Sequence, residues 1–546
     1  MKNKSYAHGA SSHPLLSETI GENLRRTVSA FPEKEALVSM HQQYRATYAA
    51  FWQQVEAVAK SFLAFNIQKG DRVGIWSPNR FEWVLIQYAA ARIGAILVNI
   101  NPAYQSSELA YVLAQSGTSV LISALSFKGK DYKIMIDESW PLFNELKEVI
   151  YLEQDWESFI AKGKIITDAQ LSKAESTVQF DNAVNLQYTS GTTGFPKGVT
   201  LSHYNLLNNG YFIGRRLNYT AGEKVCIPVP FYHCFGMVIG NLCCTSHGAC
   251  MVIPSESFDP VKVLEAVQQE RCTSLYGVPT MFISELQLPE FDQFDLSSLR
   301  TGVMAGSPCP VEIMKQVQSK MFMRDVGICY GMTETSPVST QTKIGTALEK
   351  QVSTVGTVQD HLEIKIVDPE TGAVVDRNQP GEFCTRGYSV MIGYWNNPKA
   401  TADAIDENRW MHSGDLATMD DEGYINIVGR IKDMIIRGGE NVYPREIEEF
   451  LYTHEAIADV QVIGVPCAKY GEEIMAWIKL KSGFSISADD LLEFCKKQIA
   501  HYKIPKHWKF VDSFPMTVTG KIRKVAMRKI SIEELGLGEV VKIKTS

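Results

Sequence analysis

Apolar residues recur at helical spacing from the start of the chain. Ile20, Leu24 and Val28 share one face, and Phe51, Val55, Val58 and Phe62 share another. Short apolar runs at residues 35–38 and 73–76 separate these stripes and predict strands. A helix over residues 80–93 and a strand over 95–100 follow, with further strands expected at 119–122, 149–152 and 184–188. Helix and strand alternating at this spacing imply parallel pairing in sheets covered on both faces. Past residue 350 the grammar changes to hairpins. Residues 362–367 alternate, Pro369, Glu370, Thr371 and Gly372 make a turn, and a returning strand is expected on to Gly381, as in a β-rich subdomain. A third regime starts near residue 430, with a helix over 444–452, strands over 460–463 and 474–480, and a helix that Ser487 opens as N-cap with Asp490 three residues on. The expected class is α/β: a large body over residues 1–430, with its β-rich part at about 350–430, and a small α+β domain over 431–546.

Composition narrows what such a chain can do. Its 546 residues are 45% hydrophobic and 21% charged, which supplies a core and excludes bulk disorder. Lys plus Arg total 54 against 61 Asp plus Glu, a net charge of −7. That is too small, and of the wrong sign, for a nucleic-acid footprint, so any phosphate must be held by local cations. Residues 1–30 lack an apolar run, and Glu18 and Glu22 break the acid-poor pattern of a transit peptide, so the mature chain is expected to be the whole chain. The most apolar passage, residues 83–100, is interrupted by Gln87, Arg92 and Gly94 and reads as a helix and a strand, with no transmembrane segment. All 11 cysteines fall between Cys226 and Cys495 without a CxxC pair, the pattern of reduced, buried thiols in a cytoplasmic enzyme.

The glycines crowd into a few stretches, and the first is YTSGTTGFPKG at residues 188–198. Thr189, Ser190, Gly191, Thr192, Thr193 and Gly194 offer hydroxyls and unobstructed backbone N–H groups, and Lys197 adds a cation, which together make a polyphosphate cradle. It is not a Walker A loop: Pro196 precedes the lysine, Gly198 follows it, and the strand-like residues 199–201 stand where a helix would begin.

This string resembles the phosphate-binding signature of the adenylate-forming enzymes, the superfamily of acyl-CoA synthetases, peptide-synthetase adenylation domains and beetle luciferases. Four further signatures of that superfamily follow in order: YGMTETSP at 330–337, WMHSGD at 410–415, GRIKDMIIRGGEN at 429–441 and TGKIR at 519–523. The resemblance spans residues 15–530. It implies a large N-terminal domain of two α/β subdomains with mainly parallel sheets plus the small β-rich subdomain, and a mobile C-terminal lid. It also implies ATP, Mg²⁺ and CoA as the cofactor and cosubstrates. By that resemblance Tyr330 and Gly331 take the adenine, Gly306, Ser307 and Pro308 lie along it, Thr333 meets the α-phosphate and Glu334 is the metal ligand. Asp415 and Arg430 read the ribose, Lys432 is the hinge, Gly438 and Gly439 line the CoA tunnel, and Lys521 is the catalytic lysine.

Each role has a chemical reason. A carboxylate accepts two bonds from ribose hydroxyls. A carboxylate attacking an α-phosphate approaches an anion, so an ammonium between them stabilises the transition state. PFYHCFGM at 230–237 resembles the superfamily's acyl-pocket motif, with His233 as a catalytic wall and Tyr232, Phe235, Met237 and Met304 as lining, Tyr276 beside them. Nothing charged there would neutralise an amino acid, so a fatty or aryl acid is expected. The segments LSHYNLLNN at 201–209 and VMAGSP at 303–308 look most like acyl-CoA synthetase family member 2 and bacterial medium-chain fatty-acid:CoA ligases. The expected activity is an ATP-dependent fatty acid:CoA ligase with small-molecule substrates and no nucleic-acid partner, and a homodimer is compatible with it. The alternatives are an aryl-acid ligase, a fatty-acyl-AMP ligase loading a carrier protein, a luciferase-like oxygenase, and a non-catalytic nucleotide or acyl-CoA sensor.

Overall fold

The computed structural model describes residues 3–140, 145–189, 196–306, 309, 311–437, 440–467, 469–496, 498–516 and 522–537. Two α/β sheets dominate it. The first has seven strands, in the order Gly393–Tyr394, Lys197–Ser202, Ala183–Thr189, Ile96–Asn99, Arg72–Trp76, Val120–Ser123 and Glu148–Tyr151. The last five of these run parallel. The second has nine strands, with six parallel at its centre, from Asp325–Gly331 through Thr301–Ala305, Ser274–Gly277, Lys224–Cys226 and Cys250–Ile253 to Glu35–Ser39.

One apolar core joins the two sheets: Val73, Ile75, Leu97 and Val184 of the first and Leu37, Val225, Met251, Tyr276 and Val303 of the second belong to it. The helix Phe81–Ile93 lies in that core with every residue after Phe81 buried. This is why apolar residues fall on all sides of it and only Glu82, Gln87 and Arg92 interrupt them. A third sheet is antiparallel, in the order Tyr6–His8, Leu362–Val367, Gly381–Gly387, Met411–Met419 and Ile425–Arg430. The expected return directly after the 369–372 turn is reduced to one bridge, Val367 to Val374, and the full strand starts only at Gly381.

The C-terminal residues build their own sheet. Ile457–Cys467 pairs with Gly471–Leu480 over almost their whole length, and the other edge of Gly471–Leu480 takes Ile435–Arg437, itself paired with Glu440–Val442, near its start and His507–Phe510, in parallel, further along. Two apolar clusters sit on its faces, one around Ile447, Leu451, Val460 and Ile474, the other around Val465, Trp477 and Met527. Ser487 caps the helix Ala488–Lys496: its hydroxyl accepts from the Asp490 N–H at 3.2 Å, and the Asp490 carboxylate accepts the Ser487 N–H at 3.2 Å. Among the described residues no helix is long and apolar enough to cross a membrane.

Candidate active site

The parallel strands of both α/β sheets end at one place, and their carboxyl ends carry the candidate residues. Thr189 is the last residue of Ala183–Thr189, directly opposite Lys197 in the antiparallel strand that returns from the cradle. A strand, Lys197–Ser202, therefore follows the lysine. Ser190, Gly191, Thr192, Thr193 and Gly194 lie outside the described residues, as do Ser307, Pro308, Gly438, Gly439 and Lys521.

Strand Asp325–Gly331 of the second sheet leads into a single tight turn, Thr333–Thr335, and both Thr333 and Glu334 are buried. Glu334 meets the first sheet there. Its Oε1 accepts from the Tyr394 hydroxyl at 2.9 Å and lies 3.5 Å from the Thr189 hydroxyl, while its backbone carbonyl accepts from Met391. The Lys197 ammonium stands 4.8 Å over the Tyr394 ring. Tyr394 thus ties the cation of one motif to the carboxylate of another. Sequence reasoning missed it, and the signal available was the aromatic pair Tyr394-Trp395 just before Asn396, Asn397 and Pro398, with Tyr394 in a strand only two residues long.

Tyr330, Asp415 and Arg430 form a second group. The Tyr330 hydroxyl donates to Asp415 Oδ2 at 2.6 Å, and Arg430 Nε lies 3.2 Å from Asp415 Oδ1. Asp415 and Arg430 are partners across the antiparallel pair Met411–Met419 and Ile425–Arg430, which sets that contact. Burial raises the Asp415 carboxyl above its ordinary value, and Arg430 and Tyr330 oppose the rise. Burial and the neighbouring carboxylate push the Tyr330 hydroxyl well up, so it remains a donor. Its ring meets Phe383 edge-on at 5.0 Å. Gly306 directly follows strand Thr301–Ala305 at φ +91°, a left-handed conformation that favours glycine.

The acyl-motif residues open a π-helix, Phe235–Leu242, that is buried throughout. His233 starts it: its carbonyl accepts from Gly236 and Met237, and its Nδ1 accepts from the Phe235 N–H at 3.2 Å. Phe235 packs on Tyr276 at 6.0 Å. Burial pushes the Tyr232 hydroxyl up, and that hydroxyl has no hydrogen-bond partner among the described residues. Met304 is a correction. Successive residues of a strand face opposite sides of the sheet, and Met304 points into a separate core with Val263, Leu264 and Phe282. Val303 and Ala305 face the core shared with Phe235, Met237 and Tyr276.

A buried amide network, also missed, links this helix to the phosphate strand. Gln187, two residues before Thr189, donates to Asn185 Oδ1 at 3.0 Å and accepts from the Cys234 thiol at 3.2 Å. Asn99 donates to the Tyr232 carbonyl at 3.1 Å, and Gln87 to the Met237 carbonyl at 3.2 Å. Lys432 lies in the turn Ile431–Asp433, between the third sheet and the C-terminal one.

The sequence and the overall fold have relatives. The family model described as AMP-binding enzyme matches residues 24–395, and that described as AMP-binding enzyme C-terminal domain matches 446–521. A Bacillus subtilis protein named as an acyl-CoA synthetase, YngI, is 48% identical over 543 residues, covering 96% of this chain and 99% of that one. The mitochondrial medium-chain acyl-CoA ligase ACSF2 of Danio rerio is 42% identical, over 98% of this chain and 91% of its own. Among solved structures, ATP-bound MatB from Rhodopseudomonas palustris superposes with a TM-score of 0.82 at 26% identity, over 95% of this chain and 100% of that one.

Proposed function

The chain belongs to the AMP-binding enzyme family, and on that premise we propose that it is an ATP-dependent medium-chain fatty acid:CoA ligase that works through an acyl-adenylate. In the first reaction a carboxylate oxygen attacks the α-phosphorus of ATP and the bond to diphosphate breaks. In the second the CoA sulfur attacks the acyl carbon, its proton leaves to solvent, and AMP departs. The observation that carries this reading is the convergence of Thr189, Lys197 and Glu334 at the carboxyl ends of two parallel sheets, beside the linked Tyr330, Asp415 and Arg430 group.

Lys197 and Thr189 hold the phosphates together with residues 190–194. Thr333 presents a hydroxyl to the α-phosphate. Glu334 offers a buried, hard oxygen beside the Thr189 hydroxyl, which fits Mg²⁺, an ion that takes one or two carboxylates together with substrate phosphates. Bound there, the ion would neutralise phosphate charge. Asp415 accepts the ribose hydroxyls and Arg430 flanks them, while Tyr330, Gly331, Gly306, Ser307 and Pro308 bound the adenine. Lys521 brings an ammonium to the attacking carboxylate. Lys432 is the hinge about which residues 431–546 exchange the adenylating face for the one that admits the thiol past Gly438 and Gly439. Tyr232, His233, Phe235 and Met237 wall the acyl group. The 42% identity to a ligase named for medium-chain acids supports the substrate class.

Diphosphate release measured with hexanoate through dodecanoate, palmitate, benzoate, cinnamate and amino acids, with and without CoA, tests the reading. Turnover is expected to be greatest with the medium-chain acids and to depend on ATP and CoA. Turnover confined to amino acids or to aryl acids would overturn the substrate class.

A further inference from the structure

Asp415 does not sit on a regular strand. Glu382 pairs with Leu416 and Cys384 with His412, so Ser413, Gly414 and Asp415 all stand opposite Phe383 alone. That is a bulge, a device that re-aims a side chain at a site, and side chains close it where the ladder is interrupted. Glu382 Oε1 accepts from the Gly414 N–H at 3.0 Å, and its Oε2 lies 2.8 Å from His412 Nδ1. The Ser413 hydroxyl donates to the Phe383 carbonyl at 2.7 Å and accepts from the Asp415 N–H at 3.1 Å. Gly414 takes a left-handed φ of +70°. One carboxylate therefore holds both the start and the middle of the bulge.

We propose that Glu382 and His412 are positioning residues for nucleotide binding: they clasp the bulge that aims Asp415 at the ribose of ATP. This rests on the reading of Asp415 as the ribose ligand.

The charge of His412 is part of the clasp. Its Nδ1 faces Glu382, and its Nε2 is 3.6 Å from Asp406 Oδ2, so the imidazole lies between two carboxylates. The hydrogen bond to Glu382 leads the causes that raise its pKa above the ordinary histidine value, against burial. The other groups facing it are the buried Cys384 thiol, 3.4 Å from Nδ1 and pushed up by burial, and Lys365, whose ammonium is 4.0 Å from Asp406 Oδ2. As a cation His412 has an N–H for each carboxylate, whereas as a neutral ring it has only one. The Glu382, Cys384 and His412 donor atoms lie within 4.8 Å of one another, a spacing a metal could use, but a thiol whose pKa is raised by burial is a poor source of the thiolate such an ion needs.

The test is the KM for MgATP, the KM for octanoate and kcat, measured from about pH 6 to about pH 9 across the histidine range, for the full-length enzyme and for His412→Gln, Glu382→Gln and Asp415→Asn. The wild type is expected to show a KM for MgATP that rises several-fold with pH beyond the change due to the substrate itself, with the KM for octanoate unmoved. His412→Gln and Glu382→Gln should raise the KM for MgATP roughly tenfold at the low end, the cost of a lost bond to a charged group, and should lose the wild-type step. ATP titrates identically in every variant, so the difference between profiles isolates the imidazole. If His412→Gln keeps the wild-type KM and step while Asp415→Asn raises KM at every pH, the clasp is wrong and the ribose reading stands. If Asp415→Asn changes nothing, both are overturned. Should Glu382→Gln fail to fold, His412→Gln, on the more exposed side of the pair, decides the matter by itself.

Discussion

Gly331→Ala should separate catalysis from folding. The residue ends strand Asp325–Gly331 between Tyr330 and the turn that carries Thr333 and Glu334. A Cβ built on it would lie 1.8 Å from the Pro337 carbonyl oxygen, 2.9 Å from the Pro337 carbonyl carbon and 3.0 Å from the Ser339 nitrogen. Real Cβ contacts are not found under 3.0 Å, so backbone on one side must retreat by at least 1.2 Å. All three neighbours are main-chain atoms and cannot swing aside. Either strand Val338–Gln341 moves, or the segment with Tyr330 and Glu334 does. A displacement of about 1 Å at a reacting site costs on the order of 100-fold in rate, whereas overpacking costs about 1–3 kcal/mol of stability. The variant is therefore expected to fold, to melt a few degrees lower, and to lose roughly 100-fold in kcat/KM for diphosphate release. Gly331 carries no left-handed φ, so the effect is steric alone. A variant within about threefold of wild type, with an unchanged melting temperature, would refute the reasoning.

Other consequences follow from the same geometry. Tyr330→Phe removes the 2.6 Å bond to a carboxylate whose pKa burial already raises, and should raise the KM for ATP by about 10- to 100-fold with kcat for saturated enzyme less affected, read by steady-state kinetics. Gln187→Leu takes away the Asn185 Oδ1 donor and the acceptor of the Cys234 thiol in the core; it should cost about 1–3 kcal/mol in thermal unfolding and raise the KM for the fatty acid more than that for ATP. Glu285 is buried, its Oε2 has no hydrogen-bond partner among the described residues, and burial pushes its carboxyl well above 4.5. The folded state then keeps a proton that the unfolded state releases near 4.5. The stability this contributes is complete below that value and is lost as pH rises toward the folded-state pKa. Glu285→Met should thus melt higher than wild type at pH about 8 and gain little at pH about 5.

Where the apolar pattern was long or periodic, the fold was legible. The helix expected over 80–93 is Phe81–Ile93, and the strand expected over 184–188 is Ala183–Thr189. The Ser487 cap was legible too, because capping is a local exchange of hydrogen bonds. The second sheet was legible only at Glu35–Ser39, expected over 35–38. Its central strands Lys224–Cys226, Cys250–Ile253 and Ser274–Gly277 are three or four residues long and buried on both faces or nearly so, leaving no alternation to detect. Met304 went astray for a related reason: a motif names neighbours along the chain, but the sheet decides which of two adjacent residues faces the pocket. The roles of Tyr394, Glu382 and Gln187 come only from contacts between distant segments, such as the 2.9 Å bond from Tyr394 to Glu334 sixty positions away.

The acyl-adenylate itself is the central claim, and oxygen labelling tests it most directly. Octanoate carrying ¹⁸O in both carboxylate positions is turned over with ATP and CoA, and the nucleotide, phosphate and thioester products are weighed by mass spectrometry. Attack of the carboxylate on the α-phosphorus predicts AMP carrying one labelled oxygen, unlabelled diphosphate, and acyl-CoA that keeps the other label. ADP with labelled inorganic phosphate, or unlabelled AMP, would contradict the account.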